Sequence, residues 1–299
     1  MSTPVSLALR VALSIVAIAA GAAHAEEVTK SGPADPKGDV DIVNVAGTVE
    51  VVGWDRSEIQ IHADLGSNVE RLDFKTEGAR TQIKVVLPRM GGSSGSSDLI
   101  VKIPRDSSLN VNTVSADQRI QGVRGVQRLQ AVSGGIETEF GSGDLEVKTV
   151  SGDIVARGLD GKGSVRATSV SGDVQLDKVG PELDLNTVSG DMNVRVADRL
   201  DRARIKTTNG TLDLTAALGK EARIDAEAIN GDMRFTFKGD IDAEFDIETF
   251  NGDIDNCFGP KAQRAREYGP GNELRFTQGK GAGRVRVKTL NGAVGICQR

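Results

Sequence analysis

From about residue 111 to the C-terminus apolar and polar residues alternate with a period of two, and one six-residue phrase punctuates the alternation nine times: small residue, apolar residue, Ser or Asn, Gly, usually Asp, apolar residue. It reads TVSGDI at residues 149–154, SVSGDV at 169–174, TVSGDM at 187–192 and TFNGDI at 249–254. Leu183 and Leu185 lead into one such phrase, the corner falls at Ser189-Gly190, and Met192, Val194 and Val196 lead away. Alternation on both sides of a Gly corner predicts two short strands per repeat, each with one face inward. Two columns recur in phase and are expected inside. The first is Val111, Leu129, Val147, Ala167, Leu185, Ile205, Ala226, Ile247 and Val287; the second is Val114, Val132, Val150, Val170, Val188, Thr208, Ile229, Phe250 and Leu290.

The phrase glycines are Gly134, Gly152, Gly172, Gly190, Gly210, Gly231, Gly252 and Gly292, with Ala116 in the first place, so the steps run 18, 18, 20, 18, 20, 21, 21 and 40 residues. A period near 20 marks a stack of small units, none able to bury its apolar face alone. Ser-Gly and Asn-Gly corners also suit an antiparallel meander of hairpins. Like residues returning at one phase favour a β-solenoid, in which Thr, Ser and Asn side chains stack as ladders between coils. The expectation is an all-β, single-domain β-solenoid of the β-helix kind, with coils of about 18–21 residues and a right-handed winding preferred.

The expected organisation is a signal peptide at residues 1–25, a linker at 26–39 and the solenoid at 40–299. Within the solenoid, looser strands occupy 40–110, with a degenerate phrase at 45–49, and regular repeats occupy 111–257. A cap at 258–284, carrying Phe258, Tyr268 and Phe276, covers the last open coil, and a final coil occupies 285–299. Bare solenoid ends expose core and strand edges, which is the reason for a cap.

Arg10, the apolar run 11–20 and Ala23-His24-Ala25 have the form of a secretory signal cleaved before Glu26. The mature chain is expected in the periplasm or at the cell surface, with no transmembrane span. Without Arg10 the 37 basic side chains fall to 36 against 42 acidic ones, scattered with no basic block, which argues against nucleic acid as a partner.

Catalytic chemistry finds little to work with. Gly91-Gly92-Ser93-Ser94-Gly95 matches a nucleophile-elbow pattern, but no histidine follows it, and His62 is the single histidine after residue 25. Gly161-Lys162-Gly163 and Gly279-Lys280-Gly281 lack the Ser/Thr and helix of a phosphate loop. Two cysteines and one distant histidine do not make a zinc site. Trp54 reads as packing over a core end, with sugar stacking as the alternative. Asp117, Asp153, Asp173, Asp191, Asp232 and Asp253 share one phase; they read as turn aspartates bonded to nearby amides, with a shared calcium ion as the alternative. No cofactor is expected.

Cys257 and Cys297 each lie five residues after a phrase glycine. Two rungs apart they would be about 9.6 Å distant, too far to bridge; on adjacent rungs, about 4.8 Å apart, they can pair. A Cys257–Cys297 disulfide is expected, with the segment between them looped out as a cap.

The opening strand at residues 47–54, the serial [TS]-V-S-G-D and T-x-N-G-D phrases and the closing Thr289-Leu290-Asn291-Gly292 resemble the bacterial putative adhesin family of β-strand-repeat proteins, an exported domain of unknown function, over about residues 40–299. The resemblance implies a non-enzymatic solenoid of the cell envelope that works as a binding, adhesion or scaffolding surface toward an envelope component, glycan or surface protein. A carbohydrate-active β-helix enzyme and a self-assembling structural component are the alternatives.

Overall fold

A computed structural model describes residues 26–88, 95–265 and 270–299. The expected signal peptide, most of the Gly91–Gly95 pattern and Tyr268 lie outside the described residues.

The first six strands are β1 (Glu26–Pro33), β2 (Asp39–Trp54), β3 (Glu58–Leu65), β4 (Arg71–Glu77), β5 (Arg80–Val86) and β6 (Ser96–Pro104). The repeats follow as β7 (Ser108–Val123), β8 (Gln127–Ser133), β9 (Ile136–Phe140), β10 (Leu145–Ser151), β11 (Ile154–Gly158), β12 (Val165–Ser171), β13 (Val174–Val179), β14 (Glu182–Ser189), β15 (Met192–Asn209), β16 (Leu212–Asn230), β17 (Met233–Lys238), β18 (Ala243–Asn251) and β19 (Ile254–Asn256). The last four are β20 (Gln263–Arg264), β21 (Asn272–Gln278), β22 (Gly283–Asn291) and β23 (Val294–Gln298).

Successive repeats pair in parallel and in phase. Val147 lies beside Leu129 on one side and Ala167 on the other, and Ile154 lies between Ile136 and Val174. This is the β-solenoid arrangement and excludes the hairpin meander for the repeats. One face runs β7, β8, β10, β12, β14, then the second halves of β15 and β16. The other runs β7, β9, β11, β13, then the first halves of β15 and β16, then β17.

The first expected column is the core: Val111, Leu129, Val147, Ala167, Leu185, Ile205, Ala226, Val287 and Ile247 are at most 1% exposed. Each large member contributes about 1.5–3 kcal/mol by leaving water. The second column is not inside. Val114, Val132, Val150, Val170, Val188, Ile229, Phe250 and Leu290 are 42–50% exposed. They lie an odd number of positions from the core column, and alternate strand residues face opposite ways.

Corners stack glycine on glycine. A Cβ on Gly172 (φ 148°) would lie 2.2 Å from the carbonyl oxygen of Gly152. Coils approach this closely only where the corner carries no side chain.

At the N-terminal end, residues expected as a linker form β1, antiparallel to β3, which in turn pairs antiparallel with β6. At the degenerate phrase of residues 45–49, β2 pairs in parallel with β7, Ala46 beside Ser115 and Gly47 beside Ala116.

The other end departs from chain order. The last coil, β22 and β23, lies between the coil of β16 and β17 and the coil of β18 and β19: Ala226 pairs with Val287, and Val287 pairs with Ile247. The coil closing the stack is therefore β18–β19, and β21 covers it by antiparallel pairing with β18. Phe276 stacks on Phe245 at 4.7 Å, and Phe258 meets both edge-on at 5.8 and 5.7 Å.

Candidate binding face

The outer surface of the sheet containing β8, β10, β12 and β14 carries three columns. An exposed apolar ladder, interrupted by the half-buried Thr208, runs Val114, Val132, Val150, Val170, Val188, Thr208, Ile229, Leu290, Phe250 in spatial order. Beside it runs a mixed column that includes Thr168, Asn186, Lys206, Glu227 and Lys288, and the two columns wall a shallow groove of about 640 Å³. Contiguous exposed apolar surface of this kind is uncommon away from interaction sites.

The third column alternates in sign at every rung: Arg128, Glu146, Arg166, Asp184, Arg204, Asp225, Arg286, Asp246. Neighbours pair along it, Arg166 with Asp184 at 3.2 Å and Arg128 with Glu146 at 3.9 Å. In the mixed column Lys206 meets Glu227 at 3.0 Å and Lys288 meets Glu248 at 2.6 Å. Exposed pairs like these contribute at most about 1 kcal/mol each. The Lys288 hydrogen bond, with Arg275 beside it, holds the Glu248 carboxyl below its ordinary range, and Lys148 does the same to Glu146.

At the phrase corner the aspartates bond between coils. Asp117 accepts from the Gly135 amide at 2.8 Å, Asp153 from Asp173 at 2.9 Å, Asp173 from Asp191 at 2.8 Å, Asp191 from Thr211 at 2.7 Å and Asp232 from Ala293 at 2.8 Å. Asp253 lies on the closing coil, where no further phrase corner is stacked above it among the described residues. Among the described residues no group of three or more His, Cys, Asp or Glu could hold a metal ion. Beside the aspartates an asparagine ladder joins Asn209, Asn230, Asn291 and Asn251, each step 2.7–2.9 Å.

Other expected sites are scattered. Trp54 donates to the Glu58 carbonyl at 2.9 Å and carries Arg56 and Lys102 against its ring, at 5.0 and 5.7 Å from the centroid. His62 lies 3.7 Å from Glu27. The Gly279 segment wraps Asp242, whose carboxylate accepts from the Ala282 and Lys280 amides and is held below its ordinary range by them. Cys257 and Cys297 form a disulfide, with Cα atoms 4.8 Å apart. The sequence reading missed the outward ladder; strand parity was the signal that identifies it.

The Toastrack DUF4097 family matches residues 39–296. The chain belongs to this family. The Toastrack region thus begins at β2, and β1 lies before it. Among solved structures the chain is similar to a putative adhesin from Bacteroides fragilis, with 10% identity and a TM-score of 0.38 over 91% of this chain and 97% of that one. It is also similar to a putative lipid binding protein from Parabacteroides distasonis, with 11% identity and a TM-score of 0.36 over 91% and 96%. A putative cell adhesion protein from Clostridium sporogenes has 9% identity and a TM-score of 0.22 over 92% and 100%. No curated protein matches the chain. These neighbours are named for adhesion or binding, and at such identities no residue role passes from them to this chain. Among the described residues no helix is long and apolar enough to cross a membrane.

Proposed function

We propose that this Toastrack chain is an exported, non-enzymatic β-solenoid of the bacterial cell envelope that works as a binding or scaffolding surface. The observation that carries the reading is the exposed apolar ladder, which runs over successive coils with a break at Thr208 and is flanked by polar columns. A disulfide supports export, since such bonds persist in oxidising compartments. The proposal includes cleavage before Glu26, residence in the periplasm or at the cell surface, and a right-handed winding, the hand of nearly all crossovers between parallel strands. No cofactor and no nucleic acid enter it.

Two measurements test the reading. Fractionation with protease shaving of intact cells places the protein; recovery in the cytoplasm would overturn export. Residues 26–299, immobilised, are then offered isolated envelope material, glycans and further soluble copies of themselves. Retention that is lost in a Val150→Asn, Val170→Asn, Val188→Asn variant with unchanged unfolding supports the reading. Turnover of any polysaccharide would favour a carbohydrate-active enzyme instead.

A further inference from the structure

Resting on that reading of the face, we infer that its partner is a second copy of this chain, packed antiparallel about a two-fold axis that crosses the sheet between the Asp184 and Arg204 rungs. A partner that engages every rung must repeat at the same spacing of about 4.8 Å, which another stack of strands does and a flat or irregular surface does not.

The charged column selects the register. With the two-fold lying in the interface and perpendicular to the stack, each column faces itself in reverse. An axis centred on a rung sets like charges opposite, Arg128 on Arg286 and Glu146 on Asp225 when it passes through Asp184. An axis between rungs sets opposite charges together. Placed between Asp184 and Arg204, it pairs Asp184 with Arg204, Arg166 with Asp225, Glu146 with Arg286, and Arg128 with Asp246, where Arg275 already holds the carboxylate at 3.0 Å. All eight alternating positions are then matched. The mixed column sets Asn186 opposite Lys206, Thr168 opposite Glu227 and Gln130 opposite Glu248, and it sets Lys148 opposite Lys288, each lysine already paired within its own copy, with Glu146 at 2.5 Å and with Glu248 at 2.6 Å.

The same axis matches smaller against larger along most of the ladder: Val170 faces Ile229, Val150 faces Leu290 and Val132 faces Phe250, while Val188 faces Thr208, a side chain of similar size. The apolar ladder residues are exposed on the single chain, and Thr208 is half-buried. Eight rungs and three outward columns outline a strip of roughly 38 by 20 Å, comparable with the about 800 Å² per partner of a standard interface. Alternating charge gives no net attraction to a uniformly anionic surface or polyanion, and it is self-complementary in reverse.

Sedimentation velocity of residues 26–299 across micromolar concentrations tests this. The expected result is a concentration-dependent dimer weakened about tenfold or more by Arg166→Glu, by Asp225→Arg or by Val170→Asn, and unchanged by Val155→Asn on the other sheet. Combining Arg166→Glu with Asp225→Arg restores it. These residues lie three rungs apart within one copy, so rescue reports pairing between copies. Circular dichroism confirms that each variant is folded. A monomer at every concentration, a dimer indifferent to the ladder and charge variants, or a double variant no better than the singles would each overturn the inference. So would a monomer that pellets with phosphatidylcholine vesicles, which assigns the face to a bilayer. Ladder-dependent retention of envelope material by a monomer leaves the proposed function standing while this inference falls; loss of both refutes both.

Discussion

The Nδ2 amide of Asn291 donates to the Oδ1 of Asn230 at 2.7 Å, across 61 residues of sequence, and Asn291 in turn accepts from Asn251 at 2.9 Å. One side chain thus fixes the position of the last coil between two coils that are consecutive in the chain. Replacing Asn291 by Ala leaves a donor on one side and an acceptor on the other without their partner. Water can reach both orphaned groups, so the expected loss is about 0.5–1.5 kcal/mol in denaturant unfolding, read most clearly as faster amide exchange in β22 and β23.

The corner glycines differ in what they tolerate. A Cβ at Gly231 (φ 152°) would lie 1.9 Å from the Gly210 carbonyl oxygen, whereas Gly239 (φ 72°) has nothing within 4 Å. Gly231→Ala is expected to cost more than about 3 kcal/mol or to prevent folding, and Gly239→Ala about 1 kcal/mol from backbone strain alone. Equal melting temperatures for the two variants would contradict the stacked corner.

The Cys257–Cys297 bridge ties the closing coil to the inserted one over a sequence separation of 40 residues. Its removal by Cys297→Ser should cost roughly 4 kcal/mol in the chain-entropy model. Thiol labelling of the unreduced, denatured chain should find no reactive cysteine; two per chain would show that the pair is reduced.

Acid should loosen the C-terminal coils. Because Lys288 and Arg275 depress the Glu248 pKa in the folded chain, the stabilisation is complete above the unfolded value of about 4.3 and is lost as pH falls through the lower folded value. Glu248→Gln is expected to lower stability at neutral pH and to converge with the parent below that window. Parallel stability curves down to acid pH would refute the coupling.

Calcium should leave the melting temperature where a chelator leaves it, because the corner aspartates accept amide bonds from the next coil. A rise of several degrees with millimolar calcium would reverse that assignment.

Much of the fold was legible because a solenoid repeats its local solution. The Gly corners, the strands on either side and the core column through Val147 and Leu185 all follow from short-range pattern. Val150 was misplaced for a reason the pattern itself contains: it lies three residues beyond Val147, and an odd step along a strand reverses the face. The strand β1 was hidden because Glu26–Pro33 is largely polar and exposed, without a buried face to mark it.

By itself the sequence determined the unit: its length, its corner, the core column through Val147 and Leu185, and the phase at which cysteines, aspartates and asparagines would stack. Tertiary structure decided the order of the units at the C-terminal end. In chain order Asp225 and Glu227 would meet Asp246 and Glu248, like charges on adjacent rungs. Inserting β22 brings Arg286 and Lys288 between them, and Lys288 reaches Glu248 at 2.6 Å. Local pattern cannot choose between neighbours with the same phase; charges meeting across coils can, and those contacts exist only once the stack is assembled.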